Sequence, residues 1–240
     1  MRRAAALALA SFALGVPAAA ATLELAPFSR APTGAPPAPW KVATSPKVAH
    51  HTRYEVVALD GAHVLRARAD ASYANLVYEL PPATIATRLA WRWRVDQPVE
   101  GADLSRKAGD DVPARVCALF DLPLERLTAG DRLRIRLGRL LFDPRLPPAA
   151  ICYVWDAKLA AGTWLANAYT ERVRMLVLRQ GVTGRWFDES RDLRADFAAA
   201  FPDESKGGLP PLAAIALSAD ADDTRGHALS YFGDVVLETE

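Results

Sequence analysis

The stretch Leu89 to Phe120, LAWRWRVDQPVEGADLSRKAGDDVPARVCALF, decides how the rest of the chain is read. Its opening alternates strictly. Leu89, Trp91, Trp93 and Val95 fall on one face of an extended strand, and Ala90, Arg92 and Arg94 on the other. A charged connection follows, with Asp103, Lys107, Asp110 and Asp111, and then a second alternating run from Arg115 to Phe120. The pattern predicts a hairpin-like unit with one face for a core and the other for water or a ligand. Trp91 and Trp93, on the apolar face, are expected in the core.

The flanking segments extend the same theme. Thr52 to Asp60, a tight Asp60-Gly61 turn and His63 to Asp70 read as paired strands. Asn75 to Leu80, Ala150 to Asp156, Thr170 to Arg179, Leu212 to Ser218 and Leu229 to Glu238 add further strands. Arg191 to Phe201 places Leu193, Phe197 and Phe201 at helical spacing behind Ser190 as N-cap. Leu122 to Leu141 fits a helix begun at Asp131 and a strand equally well. Roughly nine or ten short strands with one or two short helices predict an all-β fold, an antiparallel two-sheet β-sandwich of jelly-roll type.

Composition bounds the function. A 240-residue chain with 51% hydrophobic residues and net charge +1 has material for one large core and no electrostatic bias. Neither nucleic acid nor an anionic membrane surface is expected as a partner. Residues 1–21 read as a cleaved signal peptide: Arg2 and Arg3, an apolar run from Ala4 to Val16, then small residues, with the cut after Ala20 or Ala21. No run approaches the length of a membrane span. Residues 22–39 form a Pro-rich lead-in, extended and poor in regular structure, and residues 40–240 a single domain. The expected address is periplasmic or secreted. An oxidising compartment permits Cys117 and Cys152 to pair, two buried thiols being the alternative.

The chemistry-bearing residues are few. Arg92, Arg94 and Arg115 are strand guanidinium groups, expected together on one wet sheet face, where unpaired ones would bind carboxylates, phosphates or sugar hydroxyls. Asp111, Asp220 and Asp222 would organise that site, with Trp155 among the nearby aromatics. Asp110 and Asp111 are read as strand neighbours pointing to opposite faces, Asp111 holding Arg115. Asp220, Asp222 and Thr224 repeat the first half of a calcium loop, but the glycine comes one place late and Tyr231 stands where a bidentate Glu belongs. No metal site and no cofactor are therefore assigned. A looser Ca²⁺ site at Asp220 and Asp222 and a solvated acidic turn are the two readings of this stretch. His227 follows the turn and reads as a surface residue. Motifs for nucleophilic or metal-dependent catalysis are absent. The reading that results is a carbohydrate- or small-polar-ligand-binding module, leaning away from an enzyme. The alternatives are a structural or envelope-assembly protein and a glycoside hydrolase or lyase using a carboxylate pair.

Thr52 to Gly61, Val64 to Asp70, LAWRWRVD, KAGDDVPARV, ICYVWD, RWFDESRDLRADF and ALSADADDT with YFGDVVL together resemble a family of exported bacterial proteins. It is known as domain of unknown function three thousand and forty-seven. The resemblance runs from about Thr52 to Leu237 and departs from the family pattern in Leu122 to Pro148. It implies a secreted, single-domain, β-rich protein and lends no activity or catalytic residues.

Overall fold

The computed structural model describes residues 21–44, 48–141 and 147–240, with side chains of 138–141 excepted. The expected signal peptide lies outside these residues, apart from Ala21. Among the described residues, fourteen strands make two seven-stranded sheets that pack face to face as a β-sandwich. The first sheet, A, contains β1 (Ala21–Glu24), β3 (Arg53–Leu59), β4 (Ala62–Asp70), β6 (Ala86–Gln97), β11 (Phe187–Asp192), β13 (His227–Phe232) and β14 (Val236–Thr239). Sheet B runs in the order β2 (Lys41–Ala43), β5 (Asn75–Thr84), β12 (Leu212–Ser218), β7 (Arg115–Phe120), β8 (Ala149–Asp156), β10 (Thr170–Gln180), β9 (Trp164–Asn167). All named pairings are antiparallel except β8 with β10, which is parallel. The strands that alternation misses are short or lie at sheet edges, where no long period-2 pattern develops.

The core lies between the sheets. From β6 it receives Leu89, Trp91, Trp93 and Val95; from β7, Val116, Ala118 and Phe120; from β8, Ile151, Tyr153 and Trp155. Trp91 packs on Tyr153 with ring centroids 5.2 Å apart and meets Trp93 edge-on at 5.6 Å. The Asp60-Gly61 turn has positive φ at both residues (52° and 79°), the signature of the tight hairpin turn that Asp-Gly favours.

Three α-helices among the described residues pack against or beside the sheets. α1 (Ala129–Leu141) resolves the ambiguous segment as helix, begun by Thr128 rather than Asp131: the Thr128 hydroxyl accepts from Asp131 N at 3.1 Å. α2 (Leu193–Ala200) starts two residues later than Ser190 would place it, because Asp192 is the cap, accepting from Ala195 N at 2.9 Å. α3 (Pro202–Ser205) is a single turn. The Pro-rich lead-in carries little regular structure, yet it belongs to the body. β1 pairs with β14, and Leu25 and Phe28 are fully buried.

β6 and β7 are not a hairpin. β6 belongs to sheet A and β7 to sheet B, so residues 98–114 cross from one sheet to the other. Period-2 alternation specifies which face of a strand is buried, not which strand it pairs with. Both strands bury one face in the shared core, so their polar faces end on opposite outsides of the sandwich.

Candidate functional site

The three arginines are therefore separated. Arg92 and Arg94 stand on the outer face of sheet A, and Arg115 on the outer face of sheet B. Each face builds its own polar cluster.

On sheet B the crossing segment folds down as a roof. Its Leu104 and Val112 bury themselves against Cys117, Cys152, Val154, Met175, Val177 and Ala216, a second small core outside the sheet. Cys117 and Cys152 lie directly opposite each other in the β7–β8 ladder and form a disulfide, Cα to Cα 4.0 Å. The roof turns tightly on itself: Gly109 O accepts from Asp103 N at 2.8 Å. A Cβ at Gly109 would come within 2.9–3.1 Å of Asp103, mostly its backbone, so glycine is required there by close approach.

Beneath the roof Arg115 is 6% exposed. It donates through Nε to Ser218 Oγ (2.9 Å) and through Nη2 to Asp220 Oδ2 (2.9 Å), and its guanidinium lies over the Tyr73 ring at 5.5 Å. Asp110 accepts from Asn167 Nδ2 at 2.6 Å. Asp111 is fully buried and accepts from Asp223 N (3.2 Å) and Thr224 N (2.7 Å), bolting the roof to the turn between β12 and β13. Asp111 thus fixes a loop, but through backbone amides and not through Arg115, whose ion-pair partner is Asp220. Asp110 and Asp111 sit in a loop rather than a strand, so adjacency does not send them to opposite faces. Tyr169 closes the rim, its hydroxyl donating to Asp223 Oδ1 at 3.1 Å and its ring 5.2 Å from the Lys107 ammonium.

Asp220 and Asp110 neighbour the buried guanidinium, and Asp111, Asp222 and Asp223 cluster at the adjoining turn. Burial pushes Asp220 well above the ordinary carboxylate range; Arg115 pulls it down, and contact with Asp222 pushes it further up. Burial likewise raises Asp110, opposed by Arg115 and the Asn167 hydrogen bond. Asp223 is raised by partial burial and by Asp222, against the Tyr169 hydrogen bond. Tyr169 is pushed up to about 12 by partial burial and by Asp223. Arg115 loses solvation, but the surrounding acids and Tyr73 more than restore its charge. One oxygen from each of Asp111, Asp222 and Asp223 lies within 4.8 Å of the others.

On sheet A the surface is open. Arg94 is neutralised by Asp96 (2.6 Å) and Asp60 (3.0 Å), and the indole of Trp186 donates to the same Asp60 carboxylate at 3.0 Å. Arg92 differs: it lies over the Trp186 ring at 4.4 Å and joins none of the ion pairs among the described residues. Gly233 makes room for it, since a Cβ there would fall 2.5 Å from Arg92 Cγ. Arg92 borders a groove of about 490 Å³ whose wall also includes His63, Asp188 and Asp234. Asp234 is held by Ser29 N at 2.9 Å.

Several expectations end here. Trp155 is no ligand contact; it is 1% exposed in the core, its indole donating to Val182 O. Asp220 and Asp222 belong to the Arg115 cluster and do not border Arg92. His227 is exposed beside Asp70, 2.8 Å away. Tyr73 and Asn167 join the site without any signal in the sequence. Each precedes or ends a strand in an unremarkable polar turn, and no local pattern signals that it reaches across the sheet.

A family model for a protein of unknown function, DUF3047, matches residues 38–236. The chain belongs to that family. The DUF3047 match takes in both sheets apart from β1 and most of β14, and every residue of the two polar clusters except those of the N-terminal segment. No curated protein matches the chain. Among the described DUF3047 residues, no helix is long and apolar enough to cross a membrane.

Proposed function

We propose that the protein is an exported β-sandwich that binds a small polar ligand, a carbohydrate or other compound bearing a carboxylate or phosphate, on the outer face of sheet A. Arg92 carries this reading. A guanidinium stacked on an indole is held flat with its N–H edges presented, and one without a carboxylate partner is free to take an anionic or hydroxyl-rich group. The groove beside it falls in the volume range of small-molecule sites, and Asp188, Asp234 and His63 offer further hydrogen-bonding groups for sugar hydroxyls. Arg94, already neutralised, positions Trp186 through their shared partner Asp60.

Export is supported by the basic and apolar pattern of residues 1–21 and by the disulfide, since such bonds persist in oxidising compartments. Hydrolysis by a carboxylate pair has less support: Asp110 and Asp111, in the roof, and Asp220 beneath it are buried and hydrogen-bonded, and do not flank an open cleft.

A thermal-shift screen of acidic and neutral oligosaccharides and sugar phosphates tests the proposal. At least one should raise Tm by a few degrees, and Arg92→Ala and Trp186→Ala should each abolish the rise. A flat screen, or a rise that survives Arg92→Ala, removes the reading.

A further inference from the structure

The roofed cluster on sheet B holds more negative charge than its own cations answer. Arg115 engages only Oδ2 of Asp220. Oδ1 of Asp220 and Oδ1 of Asp110 are buried with no hydrogen-bond donor among the described residues, and each residue is only 5% exposed. Buried carboxylate oxygens that no donor meets require something positive beside them, a proton or a cation. Thr224 Oγ1 is likewise buried and unpartnered.

We propose that Asp111, Asp222 and Asp223, backed by Asp220, hold a calcium-class divalent cation that pins the roof to the β12–β13 turn. The ligand set is all oxygen, which selects a hard cation. Its three oxygens lie within 4.8 Å of one another. Oxygens this close can share one Ca²⁺ ion at about 2.3–2.6 Å, whose coordination geometry is tolerant, whereas Mg²⁺ demands near-ideal octahedral geometry at about 2.0–2.1 Å and suits a set drawn from two loops less well. Two separate loops supply the ligands, and both are already in place. Asp111 fixes the backbone of Asp223 and Thr224, and Tyr169 fixes the Asp223 side chain. The cation would thus complete a preformed site. This inference is independent of the groove on sheet A.

The test uses the full exported chain, stripped with a chelator and titrated with Ca²⁺ or Mg²⁺ in a calorimeter and by thermal unfolding. One Ca²⁺ should bind per chain, and Tm should rise by roughly 5 °C or more at a hundredfold excess over Kd. Mg²⁺ should act more weakly. Asp222→Asn and Asp223→Asn should each weaken Ca²⁺ binding at least tenfold, while Asp203→Asn, exposed on α3, should leave it unchanged. Should a variant fail to fold, the titration of the unaltered chain still decides. Absence of binding heat and of any Tm change at millimolar Ca²⁺ overturns the proposal. If, in addition, Asp222→Asn stabilises the stripped protein, a proton shared by Asp220 and Asp222 occupies the position instead.

Discussion

The two outer faces of the sandwich use the same residue types to opposite ends. On sheet A, Arg92 lies on an open surface, stacked on Trp186 and without an ion-pair partner among the described residues. On sheet B, Arg115 is buried under residues 98–114 and bonded to Ser218 and Asp220. What separates them is the crossing segment, which covers one face and leaves the other bare. A charge under a low-dielectric roof must be paired to be tolerated and is costly to disturb; a charge in water costs little to keep or lose and is free to meet a ligand. Stability should therefore depend on one face and binding on the other.

The sharpest way to break that contrast is Arg115→Ala. It leaves Asp220 buried near Asp111 and Asp222 without its guanidinium, and urea unfolding should show a loss of about 3–5 kcal/mol. A loss below about 1 kcal/mol would mean that the roof opens readily and that the two faces are alike. Next comes the disulfide. Cys117 and Cys152 are separated by 35 positions, and removing the cross-link with Cys117→Ser and Cys152→Ser should cost roughly 3–4 kcal/mol by the loop-entropy relation. Denaturation midpoints with and without reductant give the same comparison in the unaltered chain. Gly109→Ala tests the roof itself. Its new methyl group meets the Asp103 backbone, and a cost of about 1–3 kcal/mol is expected, with no change in ligand response on sheet A. At the small end, Arg92→Ala should alter stability by no more than about 0.5 kcal/mol while removing the ligand-dependent Tm rise.

Much of the fold was legible because burial leaves a local imprint. Trp91 and Trp93 alternate with arginines, and they occupy the core; Asp60-Gly61 requires positive φ, and the turn has it. The sandwich follows from such strands in number. The candidate site was legible only in its residue types. Arg92, Arg115, Asp111 and Asp220 all sit in polar clusters, but in two clusters on opposite faces rather than one. The single pocket expected around three arginines does not form, because pairing the two halves of Leu89 to Phe120 as a hairpin puts β7 in the wrong sheet. Trp155, expected at a ligand site, alternates into the core with Tyr153 in a strand buried on both faces, where period 2 leaves no visible mark. Tyr73 and Asn167 reach Arg115 and Asp110 from elements distant in sequence, and nothing near either residue indicates it.

Taken alone, the order of residues in this chain determined which side chains turn inward, where the tight turns fall, and that the protein is built of strands in two layers. Partnership was left to the tertiary structure: which sheet each strand joins, which cysteines and charges meet, and which polar face is roofed. Alternation is a property of one strand and its solvent, whereas pairing depends on contacts between segments tens of residues apart. Those contacts become favourable only once the whole core has closed around them.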